Sequence, residues 1–151
     1  MSHFQSSSYR KANDAYITLE IATSAVPVDT HLRWSVNPTI WGPGFWYMLH
    51  NRSWSYPLEP TPAQQSEMSI FLRVLPAMLP CGWCQKHARE YLTERDTVLD
   101  TVVKSRAGLS RFFVEFHNSV NFLNSKPLFD TDAVVDAIVK QKQLPVDRPV
   151  C

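Results

Sequence analysis

The sequence has few cysteines, few glycines and no excess of charge of either sign. Three of its 151 residues are cysteine and four are glycine, and 15 basic residues stand against 14 acidic ones. Three cysteines cannot form the set of disulfides that staples a small secreted scaffold. The balanced charge argues against electrostatic binding of nucleic acid. We therefore do not expect nucleic acid as a partner.

Long hydrophobic runs are also missing. No apolar run approaches the roughly 20 residues that a membrane-spanning helix needs. Near the N-terminus, Thr18 and Glu20 interrupt the only stretch that could form a signal-peptide core, and Asp14 and Glu20 argue against a mitochondrial presequence. We therefore expect neither a membrane span nor a secretory signal.

The hydrophobic pattern predicts an all-α fold, a compact bundle of four to five helices. Residues 1–38 are polar and are interrupted by Pro27 and Pro38, which predicts an irregular N-terminal arm. Residues 39–141 should form the helical domain. Residues 142–151 should form a tail that ends on Cys151.

Helical spacing of apolar residues recurs in five segments. The predicted helices are 42–56, from the cap pair Thr61–Pro62 to about Leu79, from Cys81 through Leu92, from Leu109 to Leu123, and about 131–140. Pro76 should kink or shorten the second helix. Thr131 is a candidate cap for the fifth.

Residues 80–84 read PCGWC and place Cys81 and Cys84 at the start of the third helix. A helix N-terminus favours thiolate over thiol, and this spacing lets the sulfurs form a disulfide without opening the fold. A thioredoxin-type pair would need a preceding strand, and none is visible before Pro80. Two alternatives stay open: half of a zinc site, with Cys151 or scattered histidines as further ligands, and a pair of inert buried thiols.

Two other stretches combine aromatic and polar residues. In WGPGFWYMLH, Trp46 and His50 are four residues apart and share one face of a helix. In FHNSVNFLNSKP, His117, Asn118 and Asn121 line one side of a helix whose other side is apolar. Such a polar cluster suits a ligand that is half flat ring and half polar group. The alternatives are a core tryptophan beside a surface histidine, and a solvated helix face.

Taken in order, WGPGFWYMLH, PCGWCQKH and HNSVNFLNSKPLFD resemble the Erv/ALR family of FAD-dependent sulfhydryl oxidases over about residues 41–130. The resemblance implies a homodimeric helical bundle that holds FAD beside the CxxC pair. It also implies an enzyme that converts two thiols and O₂ into a disulfide and H₂O₂. In this interpretation Cys81 exchanges with incoming thiols and Cys84 lies next to the flavin. The alternative is a cofactor-free helical thiol-disulfide exchange or interaction module.

The resemblance also implies a set of cofactor-binding residues and no metal. These residues are Gly42, Trp46, His50, Cys84, His87, His117, Asn118, Val120, Asn121 and Lys126. The chain departs from the family pattern at Pro43, where members often carry arginine, and at Thr131, where a structural cysteine is expected.

The expected partner is a thiol-containing protein, with a small thioredoxin-like relay as one candidate. The arm contains no cysteine, and Cys151 alone cannot store the two electrons of a disulfide, so we expect Cys81 and Cys84 to oxidise the partner directly. This arrangement, without a secretory signal or a second cysteine pair, is similar to that of viral family members. It favours the cytoplasm, the host cytoplasm for a viral protein, over the mitochondrial intermembrane space.

Overall fold

The computed structural model describes residues 35–141, and within this range the chain is helical with no strand. The all-α prediction is confirmed. The six α-helices are α1 (Pro38–Ser55), α2 (Pro62–Val74), α3 (Gly82–Thr93), α4 (Asp96–Val102), α5 (Arg106–Leu123) and α6 (Thr131–Lys140). Most of the predicted arm and the tail with Cys151 lie outside the described residues.

Helix α1 begins four residues before the predicted position. Asn37 is its N-cap, and its side-chain oxygen accepts a hydrogen bond from the Thr39 N–H at 3.0 Å. Pro38 occupies the first turn, where its missing N–H costs nothing, rather than marking a break. Pro43 lies inside the helix. Pro38, which the prediction placed at the end of the irregular arm, is therefore the first residue of this helix.

Proline does shorten the second helix, as predicted. Helix α2 starts after a capping box, in which Thr61 and Gln64 each satisfy the other's backbone N–H. It ends at Val74, and residues Leu75–Met78 continue as a 3-10 helix that contains Pro76. This short turn leads into the CxxC sequence and packs against α3.

Helix α4 was not predicted, and the cap of α6 was assigned one residue too late. Helix α4 has only seven residues, and its N-cap, Arg95, makes no side-chain capping bond. It therefore carries neither a long apolar stripe nor a recognisable start signal. In α6 the cap is Asp130, which accepts from the Ala133 N–H at 3.1 Å, and Thr131 is the first helical residue.

Helix α5 is the centre of the bundle and packs mainly against α1 and α6. The largest fully buried apolar side chains come from α1 and its C-cap, α2, the 3-10 turn, α4 and α5: Leu49, Tyr56, Leu72, Leu75, Leu99, Leu109, Phe113 and Val114.

Two buried hydrogen bonds fix the end of α1 to the end of α4 and the start of α5. The Arg106 side chain donates to the Tyr56 carbonyl at 2.6 Å, and the Tyr56 hydroxyl donates to the Val103 carbonyl at 2.8 Å. This anchor sets how α1 and α5 face each other. None of the helices in residues 35–141 is long and apolar enough to cross a membrane.

Candidate active site

A cavity of about 570 Å³ opens between α1, α3 and the C-terminal half of α5. Its volume lies in the range of about 300–1,000 Å³ that is typical of small-molecule sites. All but two of the predicted site residues line it: Gly42, Trp46, Cys81, Cys84, His87, His117, Val120, Asn121 and Lys126. The two that do not are His50 and Asn118.

Cys81 and Cys84 form a disulfide at the edge of this cavity, with Cα atoms 5.1 Å apart. Cys81 is the N-cap of α3, and its sulfur accepts a hydrogen bond from the Cys84 N–H at 3.2 Å. Cys84 packs against the hydrophobic core. The two cysteines thus have different surroundings. Cys84 faces inward, and Cys81 lies at the exposed start of the helix, among exposed neighbours.

Stacked rings form one wall of the cavity. The Trp46 and His117 rings are nearly parallel, with centroids 4.0 Å apart, and Phe116 meets Trp46 edge-on at 5.3 Å. His50 lies behind this wall, where its Nε2 is 3.1 Å from Nδ1 of His117. The predicted sharing of one helical face by Trp46 and His50 is confirmed, since their rings stack at 6.3 Å.

Burial keeps these histidines uncharged near neutral pH. Desolvation, together with the nearby His50 and Lys126, lowers the pKa of His117 to about 4. Desolvation also lowers the pKa of His50 and of His87. Because both imidazoles of the His50–His117 pair are neutral, one ring nitrogen donates and the other accepts in their mutual hydrogen bond.

Two local features shape the cavity near its ends. Gly42 is buried in the wall, and a Cβ atom there would meet nothing within 4 Å, so the empty space is part of the cavity. At the end of α5, Ser125 adopts a left-handed conformation with φ of 52°, and the Lys126 N–H donates back to the Asn121 carbonyl at 2.9 Å. This turn places Lys126 on the cavity wall.

Asn118 has a different position from the one that the sequence predicted. Its Nδ2 donates to the Phe129 carbonyl at 3.0 Å, and its Oδ1 accepts from the Phe129 N–H at 2.9 Å. The amide is therefore used to fasten the connection between α5 and α6. In the structure it holds the neighbouring chain rather than lining the cavity.

Sequence reasoning missed several wall residues, chiefly aromatic ones. Trp41, Phe45, Trp83 and Phe116 all line the cavity. A signal was present for Phe116, which precedes Val120 by one helical turn and so shares its face. Trp83 lies inside the CxxC sequence itself.

The wall as a whole suits a ligand with a flat ring and an anionic part. It offers aromatic faces, neutral imidazoles and an amide, and Lys126 is the one Lys or Arg side chain among the lining residues in the described part of the chain. Within residues 35–141, no group of three or more His, Cys, Asp or Glu side chains is placed to hold a metal ion.

The sequence profile of the Erv1/Alr family matches residues 43–142. The chain belongs to this family. The match covers most of the cavity wall, the disulfide and nearly all of the helical domain, and the resemblance inferred from the three motifs is confirmed.

Individual members of the Erv1/Alr family are similar to this chain in sequence. The putative FAD-linked sulfhydryl oxidase 347L of Invertebrate iridescent virus 6 is 40% identical over 96 residues, which are 62% of this chain and 86% of that protein. The mitochondrial FAD-linked sulfhydryl oxidase ERV1 of Saccharomyces cerevisiae is 39% identical over 89 residues, 59% of this chain but only 45% of the yeast protein. The chain thus spans less than half of that relative's length.

The crystal structure of the yeast Erv1 core has the same fold. It matches with a TM-score of 0.60 and 34% identity, and the match covers 74% of this chain and 92% of the yeast core. The helical bundle that surrounds the cavity is therefore the bundle of the Erv1/Alr family.

Proposed function

We propose that this chain is a FAD-linked sulfhydryl oxidase that forms disulfides in partner proteins. The net reaction joins two thiols into one disulfide and reduces one O₂ to H₂O₂. The observation that carries the proposal is the Cys81–Cys84 disulfide at the edge of an aromatic cavity of about 570 Å³. Family membership supports it.

The cavity residues would hold FAD through their aromatic, polar and charged groups. Trp46 and His117 supply stacked rings, and Lys126 supplies a positive charge for an anionic phosphate. Gly42 leaves the room that a side chain would fill. When bound, FAD supplies the two-electron acceptor that a disulfide lacks for passing electrons on to O₂.

The cysteines perform the exchange with substrate. A substrate thiolate attacks the Cys81 sulfur, the Cys81–Cys84 bond breaks, and Cys84 leaves as a thiolate. A second substrate thiolate then attacks the substrate sulfur of the mixed disulfide and releases Cys81 as a thiolate. The Cys84 N–H and the N-terminus of α3 stabilise that thiolate. The products are a substrate disulfide and a reduced Cys81–Cys84 pair.

The order of the two sulfurs in this scheme follows from their surroundings. Cys84 packs against the core, so an incoming protein thiol reaches Cys81 first. Both sulfurs line the cavity, so the pair can also be reoxidised from that side. Direct oxidation of a thiol-containing protein, such as a small thioredoxin-like relay, fits this arrangement.

A homodimer forms a further part of the proposal. Ile40, Tyr47 and Met48 lie on one face of α1 and are 53%, 72% and 45% exposed. A second copy of the chain would cover these apolar side chains. Sedimentation should show a dimer, and Tyr47→Glu should shift it to the monomer. A monomeric native protein would contradict this part of the proposal.

We also propose the cytoplasm, which for a viral protein is the host cytoplasm, as the place of action, and the viral relative supports it. Expression of a fluorescent fusion in infected or transfected cells should give diffuse cytoplasmic signal. Signal confined to mitochondria, the compartment named for the yeast relative, would contradict it.

A simple assay tests the proposed activity. The purified chain is incubated with FAD, freed of unbound cofactor by gel filtration, and given dithiothreitol in air. We expect a yellow protein that consumes O₂ and forms H₂O₂. A folded protein that stays colourless and forms no peroxide, yet exchanges disulfides, would instead support the cofactor-free exchange module.

A further inference from the structure

The chain segment around Cys81 is apolar and uncharged, and the first charged side chain after it is Lys86. Residues 75–84 read LPAMLPCGWC and contain no acidic or basic side chain. Two large apolar side chains in this segment are exposed, Met78 by 57% and Trp83 by 60%. They lie three residues before and two residues after Cys81, the sulfur that an incoming thiol meets first.

Trp83 makes a ring contact with its own helix. Its ring stacks on His87 with centroids 5.8 Å apart and an interplanar angle of 11°. The preceding segment is fixed to the same helix, because Gln85 Nε2 donates to the Leu79 carbonyl at 2.7 Å. These two contacts give the apolar segment a defined arrangement, which lowers the conformational entropy that binding to it costs.

We propose that Trp83, together with Met78, is the docking platform that selects the protein substrate: a cysteine in a polypeptide segment with apolar side chains beside it. The inference rests on the proposed function. It adds a specificity-determining residue to the exchange step, in which the substrate sulfur bonds to Cys81.

Access and charge both support this choice of occupant. A polypeptide whose thiol reaches Cys81 passes close to Trp83, which is two residues further along the chain and exposed, whereas Cys84 packs against the core. An apolar neighbour of the substrate cysteine gains contact with the exposed tryptophan ring. A glutamate beside the cysteine would lose water against the tryptophan ring and find no counter-ion in residues 75–84, and Lys86, the first cation of α3, is already paired with Glu90. Small dithiols do not need the platform.

The test uses a step that needs no cofactor. Cys84→Ser with Cys151→Ser leaves Cys81 as the only cysteine of the full chain, which has three. Single-cysteine peptides are supplied as mixed disulfides with thionitrobenzoate, with leucine or with glutamate beside the cysteine. The Cys81 thiolate forms a disulfide with the peptide, the peptide–thionitrobenzoate bond breaks, and the yellow thionitrobenzoate anion that is released is measured.

We expect the leucine peptide to react about tenfold faster than the glutamate peptide, the size of a typical interface anchor. Trp83→Ala should abolish this ratio, and Trp83→Phe should keep most of it because a ring remains. The matched control is Ile70→Ala, which removes a side chain that is 60% exposed on α2, and it should leave the ratio unchanged.

Equal rates for the two peptides with Trp83 present would overturn the inference. So would a Trp83→Ala variant that slows both peptides by the same factor, because that result describes a general effect on Cys81. These failures are distinct from failure of the proposed function. An FAD-loaded enzyme that oxidises dithiothreitol but shows no peptide preference refutes the platform alone, and a peptide preference without O₂ uptake refutes the oxidase alone.

Discussion

Trp46 and His117 lie on different helices, yet their rings stack with centroids 4.0 Å apart and planes inclined by only 5°. The pair joins α1 to α5 across the cavity wall, and His50 extends it by its 3.1 Å contact with His117. One side of the proposed cofactor site is therefore assembled from side chains that the fold already holds in position.

Removing the tryptophan ring should weaken FAD binding. Trp46→Ala takes away the aromatic face and frees His117 to move, and we expect the dissociation constant of FAD to rise at least tenfold. Fluorescence titration with FAD measures this change. Phe122→Ala is the aromatic control, because Phe122 is 73% exposed and is not among the lining residues. An equal loss of affinity in both variants would contradict a specific role for the stacked pair.

Two neighbouring glycines of α1 give a matched test of the cavity. Gly42 lines the cavity and Gly44 does not, and an added Cβ atom meets nothing within 4 Å at either position. Gly42→Ala should lower FAD affinity about tenfold, because the methyl group occupies ligand space. Gly44→Ala should leave it unchanged. Isothermal titration with FAD distinguishes the two, and unchanged affinity in Gly42→Ala would place the ligand elsewhere.

His117 should make the protein less stable in mild acid. Its pKa is 6.5 ordinarily and about 4 in the folded protein, so between these values the unfolded chain binds more protons. The free energy of unfolding should therefore fall as the pH drops from 6.5 to 4, with no further loss from this group at lower pH. We expect about 1 kcal/mol from His117 after allowing for its partial exposure.

Urea denaturation of the cofactor-free protein across this pH range measures the effect. His117→Asn is the comparison, because it removes the imidazole but leaves the acidic residues that also titrate. The pH slope should be shallower in the variant. Identical slopes in the two proteins would show that His117 is not responsible.

Replacing each of the two active-site cysteines should give a different visible spectrum. Cys84→Ser should abolish oxidase turnover. Cys81→Ser should also stop turnover, but with FAD bound it should show a broad long-wavelength absorbance, because the Cys84 thiolate lies on the cavity side. Visible spectra of both variants test this assignment. If the band appears only in Cys84→Ser, the order of the sulfurs is reversed.

Cys151→Ser should keep activity toward small dithiols.

The sequence predicted the elements that carry strong periodic or capping signals. The stripe from Leu109 to Leu123 gave α5, and Thr61 with Pro62 gave the start of α2. Pro38 has the same relation to Asn37 as Pro62 has to Thr61, so the start of α1 carries a capping signal that the predicted arm boundary at residue 38 did not use. Helix α4 carries no side-chain cap and is too short for a periodic stripe, so it was not predicted.

The site was predictable where one helical face carries unusual polar residues. His117, Val120 and Asn121 share a face of α5 and do line the cavity, but Asn118 follows His117 directly and so points elsewhere. What sequence spacing could not supply is contact between helices. The stacking of Trp46 on His117 and of Trp83 on His87 depends on packing and on rotamers.

The most direct test of the account is an oxygen-free titration of the FAD-loaded protein with dithiothreitol, followed by admission of air. We expect the flavin absorbance to bleach, to return with O₂, and to yield one H₂O₂ for each dithiol oxidised, while Cys84→Ser stays yellow throughout. Flavin colour that does not respond to dithiothreitol in the native protein, or that bleaches as fast in Cys84→Ser, would contradict a thiol oxidase that works through Cys81 and Cys84.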